Sequence, residues 1–259
     1  MEKILRLIRG LAGTKIPQYA AYASFFTVLA AFPALVLMLA LLRYTGMDVH
    51  ALTASLSAVV PGALVGWLEQ VVLGAYRATS GAVISLSALI TLWSASRGIY
   101  GIMVGLNGVY GVSEGRGYFY TRGISVLYTF LFLLVLLVTL MLYVFGETIT
   151  NYLFIGTRAL GVLRFLLLLV MQTALFTAMF MALPNRKNGF LESLPGAVVS
   201  SFGWLIFSDL YSVYVEHFSG YANVFGSVYA VALSMLWLYC CMSILFYGGA
   251  LNRYLGEMA

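Results

Sequence analysis

Two long apolar stretches near the end of the sequence place the tightest limit on how this chain can fold. Leu194–Val215 and Val224–Leu251 are each long enough to cross a bilayer, and the polar segment Glu216–Asn223 joins them. About 20 apolar residues in a helix span the hydrocarbon core of a membrane. Because lipid offers no partners to backbone N–H and C=O groups, a helix satisfies them internally. The two stretches therefore predict a helical membrane hairpin.

The composition extends this prediction to the whole chain. Of the 259 residues, 62% are hydrophobic and 9% are charged, and the mean hydropathy is +0.97. About a quarter of the residues of a soluble domain are charged, so this chain has too few charges to cover a surface in water. We expect an all-α, polytopic membrane helix bundle that forms one integral membrane domain over residues 1–259.

Apolar runs of spanning length predict about six transmembrane helices. The predicted spans are 19–42, 81–110, 118–145, 162–183, 194–215 and 224–251. Residues 2–13 place basic and apolar side chains on different faces, which is typical of an interfacial amphipathic helix. A signal peptide is the alternative, although the apolar run that follows is too long for one.

Residues 51–76 contain two apolar helical segments that are interrupted by Pro61 and Gly62. Each segment is too short to span a membrane alone. We interpret them as interfacial or re-entrant helices that return to the same side of the membrane. One broken span is the alternative, and it would change the helix count.

The distribution of positive charge predicts the orientation. With the N-terminus inside, most Lys and Arg residues fall on the inner connections, as is usual for the cytoplasmic segments of membrane proteins. Both termini are therefore expected in the cytoplasm. The net charge of +5 comes from residues scattered at segment ends rather than from a basic stripe, so we expect no nucleic-acid partner.

Polar and ionisable residues within the predicted spans are the candidate functional residues, because such groups are expensive in lipid. Arg97 falls in the inner third of the second span, and Asp209 lies toward the outer end of the fifth. Polar residues of the same helix sector or its outer rim accompany Asp209: Ser201, Ser208, Ser212, Glu216 and Glu147. This set would line a polar cavity open to the outside. Serine hydrogen bonds between helices and an arginine that reaches the interface are the alternatives.

Asn107 and Asn252 both fall near the inner ends of their spans. A shared cytoplasmic gate is one hypothesis for them, and helix capping is the other. Glycines recur every three or four residues from Gly98 to Gly111 and predict a face for close helix approach. The sequence contains no motif typical of a metal, nucleotide or nucleophile site, so we expect no metal, no cofactor and no enzymatic activity.

Short fragments in a fixed order cover nearly the whole chain. They are Phe32-Pro33, Leu92-Trp93-Ser94-Ala95-Ser96, Leu106-Asn107, Leu183-Pro184-Asn185, Pro195-Gly196-Ala197, Phe225-Gly226-Ser227, Trp237-Leu238-Tyr239 and Gly248–Asn252. Together they resemble the YihY/BrkB family of bacterial inner-membrane proteins, formerly labelled ribonuclease BN-like. Two positions differ from the usual family pattern, since Phe225 stands in place of a tyrosine and Ala250 in place of a glutamate. A family mechanism that needs the tyrosine hydroxyl or the glutamate carboxylate is therefore not expected in this chain.

The resemblance implies a six-helix, multi-pass protein of the bacterial cytoplasmic membrane, and it brings no settled activity. We expect a transporter or lipid-handling protein for an amphiphilic or small polar substrate. Its expected partners are membrane lipids and that substrate, and a homo-oligomer is left open. A non-transporting envelope scaffold is the first alternative, and a membrane-associated ribonuclease is the second.

We predict that reporter fusions at both chain ends will report the cytoplasm, because positive charge accumulates on the inner connections. A fluorescent protein that matures in the cytoplasm should be bright at either end. Alkaline phosphatase, which needs the oxidising periplasm for its disulfides, should be inactive at both. Phosphatase activity at either end would contradict the predicted topology.

Overall fold

A computed structural model of the chain describes residues 15–42, 81–144, 157–217 and 222–258. These residues form six helices and no strand. The helices are α1 (Ile16–Leu42), α2 (Gly81–Tyr110), α3 (Tyr118–Val144), α4 (Thr157–Ala182), α5 (Phe190–His217) and α6 (Ala222–Met258). The predicted all-helical fold class is confirmed over these ranges. The predicted helices at 2–13 and 51–76 lie outside the described residues.

The largest difference from the predicted boundaries is at the end of α6. The apolar run predicts an end at Leu251, whereas the helix continues to Met258. Its last turns are polar, and Arg253 donates from Nε to Glu257 Oε1 at 2.8 Å, one turn further along. Such a pair stabilises a helix outside the apolar region. The helix is therefore longer than the predicted span at this end.

Four of the described helices contain windows long and apolar enough to cross a membrane. These windows are Tyr118–Val135, Phe165–Ala182, Phe190–Val215 and Val231–Glu257. Large apolar side chains of these helices are exposed on the outside of the bundle, among them Phe165, Val170, Leu210 and Val213. An apolar outer surface is what contact with lipid requires. The structure is therefore consistent with a helical membrane bundle.

The helices pack around α2. The longest contact is between α1 and α2, while α3 and α6 also lie against α2, and α5 contacts both α4 and α6. Met103 and Leu106 of α2 meet Phe180 of α4 and Phe246 of α6 in the centre of the core. All four side chains are essentially inaccessible. The packed interior therefore joins the first half of the chain to the second.

Small residues on α2 allow its neighbours to approach closely. A Cβ at Gly101 would lie 3.2 Å from the Cα of Ala23 on α1, and one at Gly105 would collide with the ring of Phe246 on α6. The glycine face of α2 is thus the face on which α1 and α6 pack. Close approach of this kind favours helix association in lipid, where no hydrophobic force acts between helices.

α5 and α6 are in direct backbone contact. A Cβ at Gly248 would lie 2.6 Å from the carbonyl oxygen of Gly196 and would overlap the hydroxyl group of Ser200. Only glycine permits so close an approach at both positions. The contact brings polar backbone groups of the two helices within hydrogen-bonding range of side chains on the partner helix.

The end of α2 is determined by its own backbone. Gly111 has a φ of +68°, a left-handed conformation that glycine adopts without steric cost. Its N–H donates to the carbonyl of Gly108, and the N–H of Val112 donates to the carbonyl of Asn107. This is the Schellman pattern of helix termination. The chain therefore turns sharply, and the loop that follows folds back toward the end of α4.

We predict that Gly248→Ala lowers the free energy of unfolding by about 1–3 kcal/mol, the usual cost of overpacking. Gly123→Ala is the matched control, because a Cβ there meets nothing within 4 Å. It should leave stability unchanged or raise it by up to about 1 kcal/mol through helix propensity. Unfolding in detergent measures both, and a wild-type value for Gly248→Ala would contradict the close contact.

Candidate functional site

A cluster of polar side chains joins the end of α2 to the loops after α2 and α4. Asn107 is buried, and its Nδ2 donates to Glu114 Oε2 at 2.8 Å. Its Oδ1 accepts the backbone N–H of Asn185 at 2.7 Å. The side chain of Asn185 in turn donates to the carbonyl of Ser113 at 2.8 Å. We call Asn107, Glu114, Arg116 and Asn185 the Asn107 cluster.

Arg116 completes this cluster and caps α4. Its guanidinium donates to both carboxylate oxygens of Glu114, each at 2.7 Å. It also donates to the carbonyls of Leu183 at 2.7 Å and Ala182 at 3.3 Å, which a helix C-terminus leaves unsatisfied. The hydrogen bond from Arg116 lowers the pKa of the Glu114 carboxyl, and the carboxylate raises the pKa of Arg116. The two charges therefore compensate each other.

A second set of hydrogen bonds ties α6 to α5. Asn252 is buried. Its Oδ1 accepts the backbone N–H of Gly196 at 2.6 Å, and its Nδ2 donates to the carbonyl of Ser193 at 2.9 Å. Pro195 lies inside α5, where its ring crowds the preceding turn, and the N–H that follows it bonds to α6. We call Ser193, Gly196 and Asn252 the Asn252 cluster.

The last turns of α6 also bind the end of α2. Arg253 Nη1 donates to the carbonyl of Val109 at 2.9 Å, another acceptor that a helix end leaves free. The Arg186 guanidinium lies 5.8 Å from the centre of the Tyr110 ring. α1 begins and α6 ends on this side, which we call the junction end. The side chains of Asn107 and Asn252 thus bond to neighbouring segments at this end, and not to the ends of their own helices.

Serines occupy the buried side of α5. The Ser200 hydroxyl donates to the carbonyl of Ile244 at 3.3 Å, and Ser208 accepts a hydrogen bond from the indole N–H of Trp237 at 3.2 Å. Ser193 and Ser201 are fully buried, and within the described residues their hydroxyls have no hydrogen-bond partner. We call Ser193, Ser200, Ser201 and Ser208 the α5 serine column.

A separate cluster of arginine and aromatic side chains lies between α2 and α3. Arg122 is only 6% exposed. Its guanidinium carbon lies 4.5 Å from the centre of the Trp93 ring, and Nη2 donates to the Trp93 carbonyl. Arg97, one turn along α2 from Trp93, is exposed, and its charge acts unfavourably on that of Arg122. The structure thus places the candidate residue Arg97 beside a second arginine.

The residues of the predicted outer cavity differ in their exposure. Asp209 and Ser212 are exposed on α5, whereas Ser201 is fully buried and Ser208 is half-buried. Two further candidates have no described side chain: Glu216, in the last turn of α5, and Glu147, outside the described residues. A cavity formed by this set stays a prediction.

Glu114, Arg116 and Arg122 are absent from the site residues that the sequence predicts. The sequence pattern treats the two arginines only as charges of the inner connections. Two signals are nevertheless present: a Glu and an Arg two residues apart in a short loop, and an arginine one turn inside an apolar span. The groups that these side chains reach depend on how the loop folds back, which residue spacing does not define.

The apolar helices and the polar contacts between them define an integral helical membrane protein. The model of the family described as virulence factor BrkB matches residues 7–259. The chain belongs to the BrkB family, and the resemblance noted from its sequence fragments is confirmed.

Relatives extend this assignment. The chain is 30% identical over 248 residues to the ribonuclease-like protein YfkH of Bacillus subtilis, a match that covers 91% of this chain and 88% of YfkH. A UPF0761 membrane protein of Rhodospirillum centenum is 28% identical over 102 residues, 39% of this chain and 23% of that protein. One from Photobacterium profundum is 26% identical over 88 residues, 34% and 28% of the two chains. The chain thus spans most of YfkH but under a third of these two UPF0761 proteins. No solved structure matches.

We predict that Glu114→Gln removes stability that the wild type has at neutral pH. The folded-state pKa of Glu114 lies below its ordinary value of 4.5. Its contribution is therefore present above about pH 4.5 and is lost as the pH falls through the lowered folded-state pKa. The melting temperature in detergent should thus fall more steeply on acidification in the wild type than in the variant.

Glu257→Gln is the matched control for this measurement. Glu257 also pairs with an arginine, but its side chain is 57% exposed, and exposed pairs contribute little to stability. Its pH profile should follow that of the wild type. Equal acid sensitivity in the wild type and Glu114→Gln would show that the Asn107 cluster does not depend on the Glu114 charge.

Proposed function

We propose that this BrkB-family protein transports or handles an amphiphilic or small polar substrate in the membrane. The observation that carries the proposal is the α5 serine column, because the Ser193 and Ser201 hydroxyls are buried without a partner among the described residues. An unpaired buried hydroxyl costs about 1–3 kcal/mol. Polar groups retained inside membrane proteins at such a cost commonly mark a substrate pathway.

Helix association explains part of the column. Ser200 and Ser208 have partners on α6, as expected for serines that join membrane helices through hydrogen bonds. Ser193 and Ser201 add no such bond within the described residues. At these two positions a substrate hydroxyl, a headgroup oxygen or a water molecule would supply the missing partner.

The Asn107 and Asn252 clusters would act as closing contacts at the junction end. Each asparagine uses both the oxygen and the nitrogen of its amide, and each bonds to a segment that is distant in sequence: Asn107 to Asn185, and Asn252 to α5. A hydrogen bond contributes about 0.5–1.5 kcal/mol net, so releasing one asparagine costs a few kcal/mol at most. Conformations separated by a few kcal/mol can exchange under the influence of a ligand. This supports the gate hypothesis for Asn107 and Asn252.

A membrane-associated ribonuclease is a second candidate, because the relative YfkH carries the name ribonuclease-like. No three His, Cys, Asp or Glu side chains come together as metal ligands in the described parts of the chain. RNA cleavage by purified protein with Mg²⁺ or Mn²⁺, lost in His217→Ala, would favour this candidate. A protein that moves no substrate and cleaves no RNA would favour the scaffold alternative.

The experiment that tests the proposal uses purified protein in liposomes with a phosphatidylglycerol that carries a fluorescent headgroup. Reduction of the fluorophore by external dithionite reports movement between leaflets. We predict faster loss of inner-leaflet fluorescence than in empty liposomes, and about tenfold slower movement in Ser201→Ala, equivalent to one lost interaction of about 1.4 kcal/mol. Asp209→Asn and Arg97→Ala should abolish the movement without loss of the fold, and wild-type rates in both variants would reject a transport role for these two residues.

Ser243→Ala is the matched control, because the Ser243 hydroxyl donates to the carbonyl of Tyr239 within its own helix. It should move the labelled lipid at the wild-type rate. Wild-type protein no faster than empty liposomes would reject lipid movement. Wild-type rates in Ser201→Ala would remove the serine column from the pathway.

A further inference from the structure

The cluster between α2 and α3 carries positive charge that no carboxylate compensates within the described residues. The ion pairs of those residues involve Glu114 and Glu257 at the junction end, and neither includes Arg97 or Arg122. Arg122 is only 6% exposed, and its Nε has no hydrogen-bond partner among the residues that the structure describes. Burial of an uncompensated charge is strongly unfavourable. Stacking on Trp93 and the hydrogen bond to its carbonyl offset only part of that cost.

The start of α3 adds to the positive potential. Gly117 precedes the helix and has no side chain to cap it, and the first turn contains no acidic residue. The positive end of the helix dipole is therefore uncompensated by side chains of that turn. Arg122 lies in the next turn, where a second positive charge is unfavourable unless an anion is nearby. Three sources of positive potential thus meet here: two arginines and a helix N-terminus.

The surrounding side chains match the boundary between lipid and water. Trp93, Tyr118, Phe119 and Tyr120 are all exposed. The Trp93 and Tyr118 rings meet edge to face, with 6.5 Å between centroids. Trp and Tyr are enriched at the level of the lipid headgroups. The negative group most abundant at that level is the phosphate of a phospholipid.

We propose that Arg97 and Arg122, together with the start of α3, bind the phosphate of an anionic phospholipid. Arg97 is the accessible contact, since a guanidinium matches phosphate oxygens in a bidentate manner. Arg122 supplies a buried positive charge behind it. Trp93 and Tyr118 pack against the glycerol region and the first acyl carbons. Basic pockets between membrane helices are a recognised type of headgroup site. The site is separate from the α5 serine column and stands without the proposed transport activity.

Native mass spectrometry of the full chain in detergent tests the proposal with three probes: phosphatidylglycerol, phosphatidylcholine and inorganic phosphate. We expect phosphatidylglycerol to be retained at about tenfold lower concentration than phosphatidylcholine, since only it adds a net negative charge near the arginines. Millimolar inorganic phosphate should not displace it, because a free ion gains nothing from the aromatic side chains. Displacement at that concentration would assign the site to a free phosphate ion and would contradict the proposal that a phospholipid binds there.

Arg97→Gln is the decisive variant, because an exposed side chain can change without loss of the fold. It should weaken phosphatidylglycerol retention about tenfold, the effect of one charge-assisted hydrogen bond, and Arg122→Gln should weaken it at least as much where that variant folds. Arg186→Gln is the matched control, since this exposed arginine stacks on Tyr110 at the junction end. Wild-type retention by Arg97→Gln, or equal retention of both lipids by the wild type, would overturn the proposal.

Discussion

Lipid is the solvent for much of this chain, and a buried polar group is costly there unless it finds a partner inside the protein. In the described residues several of these partners lie on another helix or on a loop. Asn107 and Asn252 each satisfy both halves of an amide on backbone or side-chain groups of another segment. Arg116 and Arg253 occupy carbonyls at the ends of α4 and α2. These polar side chains, which would be costly in contact with lipid, therefore help to hold the helices together.

Close packing makes this pairing possible. An amide side chain reaches only a few ångströms, so the helices that it joins must be nearly in backbone contact. Gly196 and Gly248 supply that proximity between α5 and α6. On α2, the glycine face admits α1 and the ring of Phe246. Small residues and polar residues thus act together, since the first bring helices near enough for the second to bond.

The sequence predicts the helices well because each depends on a local property, the length of an apolar run. The glycine face of α2 is equally visible from spacing. Residue spacing does not show the contacts of Arg122. Its position inside a predicted span does not indicate that it donates to the carbonyl of Trp93, which lies 29 residues earlier in the sequence. The partners of Asn252 are also far from it in the sequence, since Gly196 lies 56 residues earlier. Contacts of this kind depend on helix register, which a sequence pattern does not define.

The two bonds of Asn252 limit how α5 can move. One amide holds a donor at Gly196 and an acceptor at Ser193, three residues apart on the same helix. A screw motion of α5 about its axis would break both bonds together, whereas a tilt shared with α6 would keep them. The border with α4 includes a ring contact between Phe176 and Trp204, with 5.5 Å between centroids. The Asn252 amide therefore fixes the register between the last two helices.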